Sequence, residues 1–535
     1  MDAEAASAGW LARVFSPARV RALAGLLGTG VLAFLFYDHA TKASLSIDGV
    51  RYFWIDDDQM ISMRYARNLA EGHGLVWNPG EYVEGYSNLL WVLIMAAVHA
   101  LGASDMHASL YVQGIAFALH VGMIALSLRL LRVFVPSARV AALILVAGLV
   151  LSLDITYWSV NGFETNLVAL LQLAFLVLLL ERGESRWLWL VLALMPLVRS
   201  DSVHLWAGDA LLALVRSKDR ARTLRSLALT LLPLAVHFGW RRAYYGEWLP
   251  NTYYLKSVGL PDKTLTGAIY VGRFLLRYAV PLAIACGAAA ACARTDRRAL
   301  AFFTTTLATM GYCILVGGDN FPDCRFFAHV LPVVWVFASL AGAALMAQPL
   351  GRLGLYAALA STLVPLHAPH PVHAPSINGN PQHQVVVGVM LRDQALPEST
   401  VAVIPAGFVP YFSRLRAHDM LGKNDAHIAR LPYVPGGLLG HGKYDAEYSF
   451  GRNPDLVVSC GSRALISSAP SRRAELPHPE ADYGLSLLAS RPFRDRYLPF
   501  RIESEWLAVR SQIYTHAQSP EFARRTRWRD PLVEP

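Results

Sequence analysis

"NLLWVLIMAAVHALG", residues 88–102, decides how the rest of the chain is threaded. It opens an apolar segment, 88–104, that is either a membrane span or an amphipathic helix lying along the interface, and the choice reverses the side on which every later loop emerges. The chain around it has 535 residues, 54% of them hydrophobic and only 16% charged, with mean hydropathy +0.35. An average soluble domain carries about 25% charge, so the composition reads as a polytopic membrane protein.

A span needs ~20 mostly apolar residues. Candidates lie at 21–38, 108–133, 138–155, 165–181, 187–198, 203–215, 226–241, 268–292, 299–316, 327–346 and 353–366. Cytoplasmic loops are the ones enriched in Lys and Arg. With 88–104 on the interface and the N-terminus inside beside Arg13, Arg19 and Arg21, the later basic clusters share the cytoplasmic side. These are Arg129, Arg132 and Arg139; Arg182 and Arg186; Arg216, Lys218, Arg220, Arg222 and Arg225; Arg294, Arg297 and Arg298; and Arg352. If 88–104 spans, nearly all of them move to the wrong side. The expectation is therefore about eleven spans, with the N-terminus cytoplasmic and the C-terminus outside. The pair 187–198 and 203–215, broken at "PLVRSDS", could also form one long helix, and parity favours two. The first segment reads as a signal anchor, since no small-residue cleavage site follows "VLAFLFYDHATKASLS". The net charge of +9 is partly the cytoplasmic arginines and does not point to nucleic acid. Of the cysteines at 286, 292, 313, 324 and 460, only Cys324 and Cys460 fall outside predicted spans, so no disulfide framework is indicated.

This threading puts one set of polar segments on the exterior face: 39–107, 154–166, 199–202, 240–256, 317–327 and everything after about 367. Acids, amides and aromatics therefore converge on one surface, where chemistry is expected. The first exterior loop, 39–107, reads as strand-poor. "DQMISMRYARNLAEG" has a helical period, with Asp57 or Asp58 as N-cap and Gly72 as the stop. "HGLVWNPGEYVEGYSN" is turn-rich around Pro79-Gly80. Capping needs one acid, yet Asp56, Asp57 and Asp58 stand in a row, followed by Arg64. That pattern suits a base held beside a cation, although capping and helix-dipole effects alone also place acids at a helix start.

"DDxxISxRYARNLxxGxGLVxNPGExVEGYSNxLW" resembles the first exterior loop of GT-C-fold glycosyltransferases, above all the arabinofuranosyltransferase branch of mycobacterial cell-wall synthesis. The resemblance continues through "GFETNL" (162–167), "YGEWLPNTYYLK" (245–256), "GGDNFPDCRFF" (317–327), "DMLGKNDAHIAR" (419–430) and "GHGK" (440–443). It implies an inverting transferase in a bacterial inner membrane, moving a sugar from a polyprenyl-phosphate carrier to an extracytoplasmic glycan acceptor. The implied architecture is a GT-C transmembrane catalytic domain over 1–366, with interfacial helices in the first exterior loop. A linker would follow at 367–384, then a small extracytoplasmic α/β domain at 385–535. Asp57 and Asp58 match the family's acidic pair, with Asp56 an extra acid.

Inversion requires an acceptor hydroxyl to be deprotonated opposite the departing phosphate, and one carboxylate suffices. Asp57 is taken as base, with Asp58 orienting it or the acceptor, and the two roles could be exchanged. The phosphate leaves without a general acid but needs cations, for which Arg64, Lys256 and Arg325 are candidates. Arg64 could instead pair with the aspartates, and Lys256 could snorkel to headgroups. Glu84, Tyr86, Asn88, Asn251 and Tyr253 offer contacts for sugar hydroxyls, while aromatics at the interface are also plain anchors. Asp319 and Asp323 close a span; the oxygen ligands of Asp57, Asp58 and Asp319 would suit a divalent ion, but no ligand spacing indicates one, and no cofactor is required. In the C-terminal part, Asp425, His427, His441 and Lys443 are candidates to face the active site or bind acceptor glycan. His367, His370, His373 and His383 lie in a Pro-rich tract that an ordinary linker explains.

No Walker, dinucleotide or zinc-finger spacing occurs, which disfavours a nucleotide-sugar donor. Mannose, another hexose or an aminosugar, transferred to lipopolysaccharide or protein, remains an alternative. A lipid-linked glycan flippase is the alternative of another class. Transporters place ionisable residues at the membrane midplane, whereas the acids here are in exterior loops.

Overall fold

The structure is a computed structural model that describes residues 17–136, 139–257, 262–319, 321, 324–361, 381–404, 406–433, 440–458, 502–504, 511–513 and 517–518. The chain divides into two compact units. One gathers Met1–His39, Gln113–His237 and Asp262–His367; the other gathers Ala40–Val112, Phe238–Pro261 and Ala368–Pro535.

The first unit is helical. Among the described residues, 4 helices are long and apolar enough to cross a membrane: Ala18–Lys42, Ala108–Phe134, Thr165–Arg182 and Arg297–Val316. The number rises to 6 if each of two bent pairs is one span, which fits a polytopic membrane protein. Several expected spans are interrupted, two of them beside prolines. The expected 268–292 is Lys263–Arg277 followed by Ala279–Ala293, bent by 85°. Pro281 has no N–H to return to the preceding turn, and the helix breaks at Tyr278. The expected 226–241 breaks at Leu231, just ahead of Pro233, into Arg220–Thr230 and Leu232–Tyr245. At "PLVRSDS" the chain makes two helices, Arg186–Val198 and Val203–Arg216, joined through a 3-10 turn at Ser200–Ser202.

The second unit opens with a hairpin in the loop expected to be strand-poor. β1 (Ser44–Ile47) pairs antiparallel with β2 (Val50–Phe53). The turn is Asp48-Gly49, both at positive φ, as a two-residue hairpin turn requires. Helix Asp57–Ala70 follows and ends at Glu71, with Gly72 at φ +84°. The segment that decides the threading is helix Leu89–Ala100. Its 12 residues rise about 18 Å, well under the ~30 Å of a hydrocarbon core, and it packs on Asp57–Ala70.

The C-terminal residues add a sheet of order β4-β3-β5-β8. β3 (Thr400–Val403) lies parallel to β4 (Arg416–Asp419) and to β5 (Leu456–Val458). Outside β5 runs the antiparallel Ala517–Gln518, which is β8, while β6 (Ile502–Ser504) and β7 (Ser511–Ile513) form a separate antiparallel pair. Helix Phe408–Ser413 connects β3 to β4, and helices Ala426–Ala429 and Ala446–Gly451 lie between β4 and β5.

Candidate active site

The acidic triplet starts helix Asp57–Ala70, and each acid has a different task. Asp56 is the N-cap, its carboxylate accepting from the Asp58 N–H at 3.0 Å. Capping therefore falls one residue before the expected Asp57 or Asp58, which leaves both of those free of it. Asp57, 4% exposed, turns toward helix Phe408–Ser413 and accepts the N–H groups of Gly407 and Phe408 at Oδ1, both at 3.0 Å. Burial pushes its pKa up to about 6, against the opposing pull of Lys423 and of those two donors. Burial and the neighbouring Asp58 and Asp57 charges also raise Asp56. Asp58, its side chain 23% exposed, is ion-paired with Lys423.

The other end of helix Phe408–Ser413 is held by the same helix two turns on. Arg64 donates to Pro410 O, to Leu415 O at 2.7 Å, to Trp77 O at 2.6 Å and to Asn78 Oδ1 at 2.8 Å. Arg67 donates to Tyr411 O at 2.6 Å. A helix leaves N–H groups unsatisfied at its start and carbonyls at its end. Asp57 serves the first end, and Arg64 with Arg67 serves the second. Arg64 therefore neither pairs with the aspartates nor stands ready for a phosphate. Because Gly407 lies so close to Asp57, a Cβ there would come 2.1 Å from Asp57 O and 2.5 Å from Asp57 Oδ1. Gly407→Ala is expected to destabilise the second unit by the upper end of the ~1–3 kcal/mol seen for overpacking, read as a lower unfolding midpoint.

Lys423 was not singled out in the sequence, although its motif was. It sits in the loop after β4, which Asn251 holds by donating from Nδ2 to Gly422 O, Lys423 O and Asp425 O at 2.9, 3.0 and 3.1 Å. Asn251 is thus a loop-binding residue. The remaining expected sugar contacts of this unit also meet protein. Glu84 makes a buried bidentate pair with Arg241, at 2.5 and 3.1 Å. The Tyr86 hydroxyl meets that of Tyr245 at 3.1 Å. Asn88 Oδ1 accepts from Ser62 at 3.3 Å. Lys443 donates to Tyr254 O and Ala429 O at 2.9 and 2.8 Å. Asp425 caps helix Ala426–Ala429 and accepts from Tyr448 at 2.9 Å. His427 is exposed and lies 3.2 Å from Asp445. His441 is half-buried, and the Lys256 stem passes beneath Gly440, close enough that a Cβ there would meet its Cε at 3.2 Å.

In the first unit, Asp319 and Arg325 form a bidentate pair at 2.7 and 2.9 Å, with the guanidinium 4.4 Å from the Phe321 ring centre. The same unit holds paired charges that no sequence motif singled out. Arg199 bridges Glu164 and Asp201, and Asp154 takes Arg277 and the Tyr278 hydroxyl, both at 2.7 Å. Thr165, Arg199, Asp201, Tyr312, Arg325 and His329 line one small pocket. The usable signal was charge inside a break between apolar helices, which is costly and seldom placed without a partner. Asp323, His367, His370 and His373 lie outside the described residues, as does the side chain of His383.

Residues 376–519 match a family model described as a domain of unknown function, DUF8728. The chain is similar to the terminal β-(1→2)-arabinofuranosyltransferase of Mycobacterium tuberculosis (strain ATCC 25618 / H37Rv), 30% identical over 254 residues, or 43% of this chain. It spans 39% of that relative's length. Among solved structures it is similar to ArnT from Cupriavidus metallidurans in the apo state (TM-score 0.47, 12% identity, 77% of this chain and 86% of that one). It is likewise similar to the archaeal oligosaccharyltransferase AglB from Archaeoglobus fulgidus, solved with an inhibitory peptide and a dolichol-phosphate (TM-score 0.48, 12% identity, 95% of this chain and 75% of that one). The curated relative is of the same kind as the branch that the motifs resemble.

Proposed function

We propose that this chain is an inverting glycosyltransferase that moves a sugar, arabinofuranose foremost, from a polyprenyl-phosphate carrier to an extracytoplasmic glycan acceptor. The observation that carries the proposal is Asp57. It is a carboxylate fixed through Oδ1 by two backbone donors and raised to about 6, at the start of a helix whose motif matches that branch. A general base works best with a pKa near the operating pH. Similarity to the arabinofuranosyltransferase supports the choice of sugar.

In the step, Asp57 takes the proton of the acceptor hydroxyl, and that oxygen attacks the anomeric carbon. The carbon–oxygen bond to phosphate breaks on the opposite face, and its electron pair leaves with the phosphate. Asp58 orients the acceptor or Asp57. Lys256 remains the proposed cation for the phosphate, and Arg64 is withdrawn from that role. Asp425, His427 and His441 complete the proposed substrate contacts, while Glu84, Tyr86, Asn88, Asn251 and Lys443 support them from within the protein. The proposal includes no metal or other cofactor. It also includes eleven spans in an inner membrane, an N-terminus in the cytoplasm and the C-terminal residues outside.

The test is transfer from synthetic polyprenyl-phosphoryl arabinofuranose to a short glycan by the purified protein, followed across pH. The base must be ionised, so transfer is expected to fall on acidification through about pH 6. A rate that stays flat to pH 4.5 removes Asp57 as base. If an aminosugar or hexose donor reacts and arabinofuranose does not, the sugar assignment fails.

A further inference from the structure

We infer that Lys423 is a positioning residue, delivered to the acidic pair by a preformed loop so that Asp58 stays charged and Asp57 is left as the group that exchanges a proton. This inference rests on the transfer proposal above.

The loop 419–425, "DMLGKND", is held from both sides. On its N–H side the Asp419 carboxylate accepts from Leu421 N and Gly422 N at Oδ1, both at 3.0 Å, and at Oδ2 from Asn424 N at 2.8 Å and Asn424 Nδ2 at 3.0 Å. On its carbonyl side stands the single amide of Asn251. Asn424 Oδ1 lies 3.1 Å from the hydroxyl of Tyr65, two turns along the helix that Asp57 and Asp58 begin. Lysine is ordinarily a flexible, strongly hydrated charge. Here the backbone that bears it is fixed against the helix bearing its partners, and its side chain is 13% exposed.

The ionisable groups facing the ammonium are Asp58, Asp57 and Asp419, with Asp56 next along the helix. Tyr411, from the helix packed on the other side, sits instead against Arg67. One cation therefore serves several carboxylates. Burial pulls the lysine down, but Asp58, Asp57 and Asp419 together hold it above its ordinary value, so it stays charged. Without it, the buried Asp57 and the part-buried Asp58 repel each other at close range, and the proton that relieves the repulsion goes to the more buried Asp57.

Lys423→Met is expected to move the acid limb of transfer upward by about one pH unit, which is about a fivefold loss at pH 6, about tenfold well below it and little loss at high pH. Lys423→Arg should restore the wild-type limb. In an Asp58→Asn background the Met substitution should still raise the limb, because the ammonium also pulls on Asp57 directly. A limb that stays near pH 6 in Lys423→Met, or a loss equal at every pH, overturns the inference. Should the wild type transfer nothing from any donor, the transfer proposal fails and the unfolding midpoint against pH decides the role of Lys423. A carboxyl raised in the folded state gives stability that is present below its unfolded pKa and lost as pH rises through its folded pKa. Lys423→Met should therefore lose more stability between pH 5 and pH 8 than the wild type does. Identical pH dependence in the two proteins overturns the inference by that route as well.

Discussion

Asp57→Asn is expected to lower transfer by roughly 10²–10⁴-fold, the usual contribution of a general base, with the unfolding midpoint close to that of the wild type. The amide keeps an oxygen that can accept the N–H groups of Gly407 and Phe408, so the start of helix Phe408–Ser413 stays satisfied while proton abstraction is lost. Asp57→Ala removes both functions, leaving two buried donors unpaired at a cost of ~1–3 kcal/mol each. It should be as inactive as the Asn variant but less stable. The comparison separates chemistry from clamping. If Asp57→Asn stays active while Asp58→Asn is dead, the base is Asp58, the more exposed of the two, and Asp57 is only a helix anchor.

What the sequence shows at this site is local. Three acids before a helical period identify a helix start, and Gly72 marks its end, because both signals lie within a few residues of their effect. Asp48-Gly49 was equally local, yet it was passed over in a loop taken to be strand-poor. The breaks near Pro233 and Pro281 were also legible, since a hydropathy window averages over a missing N–H that the backbone cannot ignore. The partners of Asp57, Arg64 and Lys423 were of another kind. They lie about 350 residues along the chain, at Gly407, Pro410 and Asp58. No periodicity in 52–88 indicates that a carboxylate and an arginine two turns apart fit the two ends of one six-residue helix. Composition marked "DMLGKNDAHIAR" as polar, but only the fold shows that its lysine, rather than Asp425 or His427, reaches the acids.

The same nonlocality decides what Arg64 is for, and Arg64→Leu is expected to produce the largest loss of stability. Arg64 is 2% exposed and donates to four protein oxygens drawn from three stretches of chain. At ~1–3 kcal/mol for each buried acceptor left unpaired, losing even two of them costs about 2–6 kcal/mol, a large share of the 5–15 kcal/mol typical of a domain. Arg64→Lys should help little, because a compact ammonium cannot reproduce the planar fork that reaches four acceptors at once. A phosphate-binding arginine predicts the opposite pattern: a lysine that retains much of the affinity for the lipid-linked donor, a raised KM in Arg64→Leu, and an unfolding midpoint that hardly moves. Measuring the midpoint and the donor KM of both variants tells the two roles apart. A stable Arg64→Leu protein with a weakened donor KM would return Arg64 to the phosphate and leave the carbonyl end of helix Phe408–Ser413 to Arg67 alone.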